Sequence, residues 1–190
     1  FTVMAGWFRV FVIMIMNASE LMQNDDLSFC EKSLVPATKT ALLLSFVELF
    51  NCIVGFTRSR PLQVGLFSSV RFGVMMIAAP LLPCNAWQTL LTISCWSLGD
   101  TVRFGCFGLD SILKGSKLAK DIRYTVAPIL FPIGASGEML MVSKLASDGR
   151  PMVWIAAALW PVGFYPLIRQ LLRQRKKHFA GTKQKEIKAV

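Results

Sequence analysis

Three acids and three arginines stand inside stretches that are otherwise apolar: Glu48, Asp100 and Glu138 with Arg71, Arg103 and Arg123. An ionisable group in hydrocarbon is costly unless it is paired or wetted, so such groups mark a polar interior and not a lipid face. The six balance in charge. Asp100 and Arg103 stand three apart on one helix face and can pair within their own helix. Two readings stay open: a structural ion-pair network, or a cavity for a substrate. Arg9 and Lys144 also fall in apolar stretches and can snorkel to an interface.

A second pattern lies near residue 130. Tyr124, Phe131 and Glu138 recur every seven residues, so they share one stripe of a helix. Neighbouring members are two turns, about 10 Å, apart. Pro128, Pro132, Gly134 and Gly137 interrupt the same segment, which predicts a kinked helix whose freed backbone groups line a cavity or are satisfied by neighbours.

Other familiar chemistry is missing from the pattern. Cys30, Cys52, Cys84, Cys95 and Cys106 are widely spaced, with neither a paired framework nor a metal-ligand spacing, and read as small core residues. His178, the lone histidine, sits in a basic tail with no second ligand beside it, and reads as solvated or lipid-facing. No metal or cofactor is expected.

The elements that must position these residues are helices in a membrane. Of 190 residues, 54% are hydrophobic and 17% charged, and the mean hydropathy is +0.51, too apolar for a water-soluble domain of this size to cover with polar surface. Apolar stretches at 1–18, 40–57, 62–82, 86–109, 122–145 and 152–172 each have roughly the length a helix needs to cross a bilayer. Short polar separators divide them, with Asp25, Asp26, Glu31 and Pro36 in the first and Arg58 to Pro61, Pro83 to Asn85, Ser111 to Asp121 and Ala146 to Pro151 in the others. The expectation is an all-α, polytopic six-helix membrane domain over residues 1–172 and a basic tail over 173–190.

Charge supports the count of six. One side of the membrane receives Arg58, Arg60, Lys114, Lys117, Lys120 and the tail, while the other receives only Lys32, Lys39 and Arg150 among four acids. Five or seven helices would spoil that sorting. Both termini then face the positive side, which is cytosol or mitochondrial matrix. Arg169 to Lys188 holds eight of the 21 basic residues behind the net charge of +10. Basic residues gathered in short loops and one tail argue against nucleic acid as a partner, and fit a topology anchor touching lipid head groups. The chain opens at Phe1 without an initiator methionine, so the expectation is an upstream segment that is either cleaved, as a presequence is, or simply outside this sequence.

Three blocks of residues carry a family resemblance. Arg123 to Glu138, RYTVAPILFPIGASGE, is similar to a block RYTLFxxLYPxGxxGE; Trp96 to Phe104, WSLGDTVRF, to WSxxEIIRY; and Val47 to Ser59, with Glu48 and Gly55, to LEILHxxxGxVxS. Together they resemble the membrane-bound 3-hydroxyacyl-CoA dehydratases of fatty-acid elongation, also called protein tyrosine phosphatase-like A proteins. The resemblance implies a six-helix fold, residence in the endoplasmic reticulum and dehydration of (3R)-3-hydroxyacyl-CoA to the trans-2-enoyl thioester. It also implies a catalytic tyrosine and glutamate seven residues apart, since elimination needs one group to take a proton from C2 and another to protonate the departing hydroxyl.

The glutamate position here is Glu138, and the tyrosine position is Phe131. Phenylalanine keeps the ring but has no proton to give and no lone pair to receive one. Tyr124 matches a separate family tyrosine. Three further positions drift the same way: Asn51 stands at a family histidine, Asp100 at a glutamate and Phe104 at a tyrosine.

Three functions follow as expectations. One is a degenerate dehydratase kept as a structural or accessory subunit among other membrane proteins, with mitochondrial respiratory or ATP synthase assemblies as one setting. A second is a working dehydratase of very-long-chain elongation that uses Glu138 with water or another donor. The third is a non-catalytic binder of acyl-CoA or lipid, with Arg103 and Arg123 holding an anionic head group. Tyrosine phosphatase chemistry is set aside, because no cysteine lies in an anion-binding loop followed by arginine.

Overall fold

The computed structural model describes residues 2–18, 30–56, 61–82, 86–113, 116–147 and 164–180, and among them every regular element is helical. Helix α1 is Thr2–Met16, and α2, Val35–Ile53, is entered through a π turn at Cys30–Leu34. Helix α3, Pro61–Gly73, runs on into a π turn at Val74–Ala78 and a 3-10 turn at Ala79–Leu81. Then come α4, Trp87–Ile112, and α5, Lys117–Ser147, followed by α6 over 164–180. Each of the six expected apolar stretches contains a described helix. The sixth is seen only from residue 164 onward; its earlier part and residues 181–190 of the tail lie outside the described residues.

Local chemistry explains several of these ends and interiors. Proline stands in the first turn of α2 and opens α3, where its missing N–H has no helical partner to lose. Within the helices, hydroxyls bond back to the carbonyl four residues earlier: Thr38 to Leu34, Ser45 to Ala41, Thr92 to Gln88 and Ser94 to Leu90. Such bonds let polar side chains sit in an apolar packing layer without an unmet donor. Helix α5 continues unbroken through both Pro128 and Pro132, and Ser136 Oγ bonds the Pro132 carbonyl.

Helices α4 and α5 cross closely because glycines face the contact. A Cβ at Gly137 would run into Thr92 Oγ1 and stand 3.3 Å from the Thr92 nitrogen, and one at Gly134 would stand 3.0 Å from Cys95 Cβ. The main core lies among α1, α2 and α4, around Trp7, Leu42, Ile93 and Trp96. Trp7 and Trp96 meet edge to face with centroids 6.5 Å apart, and Trp7 Nε1 donates to Ser45 Oγ at 3.1 Å.

Outward faces are also apolar, with Phe8, Leu43, Phe50, Leu62, Ile77, Ile112, Leu118 and Ile129 exposed. Large apolar side chains exposed along several helices suit contact with lipid. By length and composition, Cys30–Ile53 and Lys117–Ser147 are each able to cross a bilayer, and Thr2–Met16 and Val64–Ile77 are shorter apolar helices. Both features fit a membrane protein.

The cysteine reading needs correction. Cys30 is disulfide-bonded, while Cys52, Cys95 and Cys106 keep buried thiols. A disulfide joins side chains that the fold brings within reach, and spacing along the chain does not reveal it.

Candidate functional site

Four of the charged residues join three helices. Arg71 of α3 bonds Asp100 of α4, and Arg103 of α4 bonds Glu48 of α2. The pairing expected within α4, Arg103 with Asp100, is the longest contact at 3.9 Å. That pairing is kept, and each carboxylate also meets a guanidinium from a different helix, so the pairs fasten α3 to α4 and α2 to α4. The Arg71 and Asp100 side chains are only 11% and 7% exposed, whereas that of Arg103 is 30% exposed. Leu42, Ser45, Glu48, Ser68, Arg71, Asp100, Arg103 and Phe104 enclose a cavity of about 10 Å³, room for a single water. Arg71 Nε is buried with no hydrogen-bond partner among the described residues.

Glu138 lies deeper along α5, 5% exposed, and its Oε1 accepts a hydrogen bond from Trp96 Nε1 at 2.7 Å. A buried carboxylate held by an indole N–H is a group that can take or return a proton. Trp96 is the residue that sequence reasoning missed. It opens the WSLGDTVRF block, but a tryptophan in an apolar run reads as core, and only its N–H hinted at a partner.

Phe131 sits in a stack of three rings. Phe67 of α3 lies on one contact, with centroids 5.8 Å apart and planes at 26°, and Phe164 of α6 on the other, at 5.2 Å and 5°. The Tyr124, Phe131 and Glu138 stripe therefore does not open on one cavity. Tyr124 stacks on His178 at 4.7 Å, Phe131 faces α3 and α6, and Glu138 faces α4.

His178 corrects another expectation. Its side chain is 17% exposed, and Nε2 lies 2.6 Å from Asp121 Oδ1, so α6 docks on the first turns of α5 where a solvated tail residue was expected. Contacts at Phe164 with Phe131 and at His178 with Asp121 run the two helices antiparallel. Arg123 lies 4.0 Å from the Phe107 ring and 5.6 Å from that of Tyr124, apart from the four-charge network. Asn51 is half-buried one turn beyond Glu48 and does not line the cavity. Phe104 does, with the Arg103 guanidinium 5.0 Å from its ring. Among the described residues no three of His, Cys, Asp and Glu gather as metal ligands.

The family model described as protein tyrosine phosphatase-like protein, PTPLA, matches residues 42–181, a span that takes in all of these side chains. The chain belongs to the PTPLA family. Among its relatives is a probable very-long-chain (3R)-3-hydroxyacyl-CoA dehydratase of Schizosaccharomyces pombe, 26% identical over 145 residues that cover 70% of this chain and 69% of that protein. Two more are the very-long-chain (3R)-3-hydroxyacyl-CoA dehydratases 1 of Mus musculus and Ovis aries. Each is 24% identical over 140 residues, covering 73% of this chain and 49% and 48% of those proteins respectively. The chain thus spans about half the length of these mammalian PTPLA relatives. No solved structure matches it significantly.

Proposed function

We propose that this PTPLA-family chain is a dehydratase-like integral membrane protein with six transmembrane helices, impaired in catalysis and kept as an accessory or structural subunit beside other membrane proteins. The observation that carries this reading is the ring stack at Phe131. A tyrosine there would bring a hydroxyl to the reaction, whereas Phe131 spends its ring on holding α3 and α6 together.

In this reading residues 1–172 form the membrane domain and 173–190 a basic tail whose first part continues α6. Both termini face the cytosolic side, and the membrane is that of the endoplasmic reticulum, where the resemblance places the elongation reaction. A disulfide at Cys30 supports the orientation, because the charge sorting puts that end of α2 on the opposite side and disulfides persist in oxidising compartments. The mitochondrial inner membrane, whose outer face is also oxidising, is the competing site, and fractionation of cells separates the two.

A second reading is favoured by Glu138, which keeps its buried position and a hydrogen-bond donor. It is a working dehydratase of (3R)-3-hydroxyacyl-CoA, with Glu138 removing the C2 proton and a water protonating the departing hydroxyl. Turnover of a long-chain (3R)-3-hydroxyacyl-CoA by the purified protein in nanodiscs, beside Phe131→Tyr, decides between them. Turnover by the native protein that Glu138→Gln abolishes establishes the enzyme and overturns impairment. Turnover by Phe131→Tyr alone, or by neither protein while both stay folded, supports the accessory role.

A further inference from the structure

One residue joins the four-charge network to the Glu138 carboxylate. Arg71 bonds Asp100 through Nη1, and its guanidinium lies 4.0 Å from the Phe67 ring centroid and 5.3 Å from that of Trp96. A planar cation gripped at one edge by a buried carboxylate and flanked by two aromatic rings has little freedom to turn. The Trp96 indole is constrained in turn, by Arg71 on one contact and by the edge-to-face ring of Trp7 on another. Its one polar atom, Nε1, donates to Glu138 Oε1. The Phe67 ring that Arg71 covers stacks in turn on Phe131.

We propose that Arg71 is a positioning residue for Glu138, acting through the Trp96 indole, which it holds so that the N–H meets the carboxylate. This rests on reading Glu138 as the proton-transferring group, but the contact itself can be observed in a chain that turns nothing over. Loss of Arg71 leaves Trp96 in its pocket with its N–H free to swing from the carboxylate, and a carboxylate so released occupies several orientations where it had one.

The test is the indole ¹H–¹⁵N resonance of Trp96 in nanodiscs, assigned by its loss in Trp96→Phe, with the indoles of the other tryptophans reporting that the fold is intact. Glu138→Gln calibrates the shift produced when the carboxylate acceptor is replaced. The expected result is that Arg71→Gln moves the Trp96 resonance in the same direction and by at least half as much, and that Arg71→Lys, which keeps a cation for Asp100 but not the planar face, gives a smaller shift. A Trp96 resonance at its native position in a folded Arg71→Gln protein overturns the proposal. If Arg71→Gln does not fold, Arg71→Lys decides on the same criterion.

Turnover is read separately, in whichever of the native or Phe131→Tyr proteins shows it. There Arg71→Lys lowers kcat roughly 10-fold to 100-fold with KM little changed, the pattern of a lost transition-state arrangement. Should Glu138→Gln leave turnover intact while Trp96 shifts as expected, the catalytic reading of Glu138 fails and the positioning contact stands.

Discussion

Phe131 and Phe164 lie face to face, 5.2 Å between centroids and 5° from parallel, so the position where the resemblance puts a tyrosine is one of the points where α6 is fastened to the bundle. A hydroxyl added here enters a packed stack. Phe131→Tyr should therefore lower thermal stability by about 1–3 kcal/mol if the new O–H finds no partner. It should raise dehydratase turnover by roughly 10²-fold to 10⁴-fold if the rest of the machinery is in place. Phe131→Leu should loosen α6 by removing two ring contacts worth about 0.5–1.5 kcal/mol each. Thermal unfolding and turnover measured on the same preparations check both.

The Arg71 and Asp100 pair is buried enough that removing one partner should hurt more than removing both. Asp100→Asn leaves a cation facing an amide in a nearly dry site, for which the loss is about 3–5 kcal/mol. The double change Arg71→Met with Asp100→Leu should recover most of that stability. Glu48→Gln should cost less, because the Arg103 guanidinium it leaves behind still has the Asp100 carboxylate 3.9 Å away. Unfolding in mixed micelles with increasing denaturing detergent ranks the variants.

Gly137→Ala should separate α4 from α5, since its Cβ would run into Thr92. Overpacking of this kind costs about 1–3 kcal/mol. Thr92→Ala removes the offending hydroxyl but leaves the Thr92 backbone nitrogen 3.3 Å from the new Cβ, so the double variant should recover only part of the loss. A double-mutant cycle on thermal unfolding measures that coupling.

His178→Ala should release the end of α6 without disturbing the core around Trp7 and Trp96. Its stack on Tyr124 and its bond to Asp121 are together worth about 1–3 kcal/mol. Faster tryptic cleavage among Arg173, Arg175, Lys176 and Lys177, with unchanged thermal unfolding of the remainder, is the expected outcome.

The helices and the charged residues were legible because both depend on local pattern. An apolar run of spanning length shows itself, and so does a charge within one. The partners were not legible. Asp100 does pair with Arg103, three residues on, but its hydrogen bond goes to Arg71, which is remote in sequence, because a neighbouring helix presents a guanidinium in better geometry than the next turn does. Trp96 hid for the same reason: its apolar bulk announces core, and the use of its N–H depends on where α5 places Glu138. His178 looked unengaged because nothing in the tail suggests that α6 folds back along α5. Cys30 looked unpaired because spacing in one dimension says nothing of reach in three.

The way Glu48, Arg71, Asp100 and Arg103 are shared among α2, α3 and α4 bears on how the chain is made. While α2 and α3 alone have left the ribosome, Glu48 and Arg71 lack the partners that both find on α4. In the proposed six-span topology both charges fall within spans, where a lone charge disfavours insertion by about 2.5–3.5 kcal/mol, so neither helix would be at ease in lipid until α4 arrives. On that proposed topology, the three helices would enter the membrane as one neutral unit, and a chain cut short before α4 is one the cell's quality control would be expected to hold back and degrade.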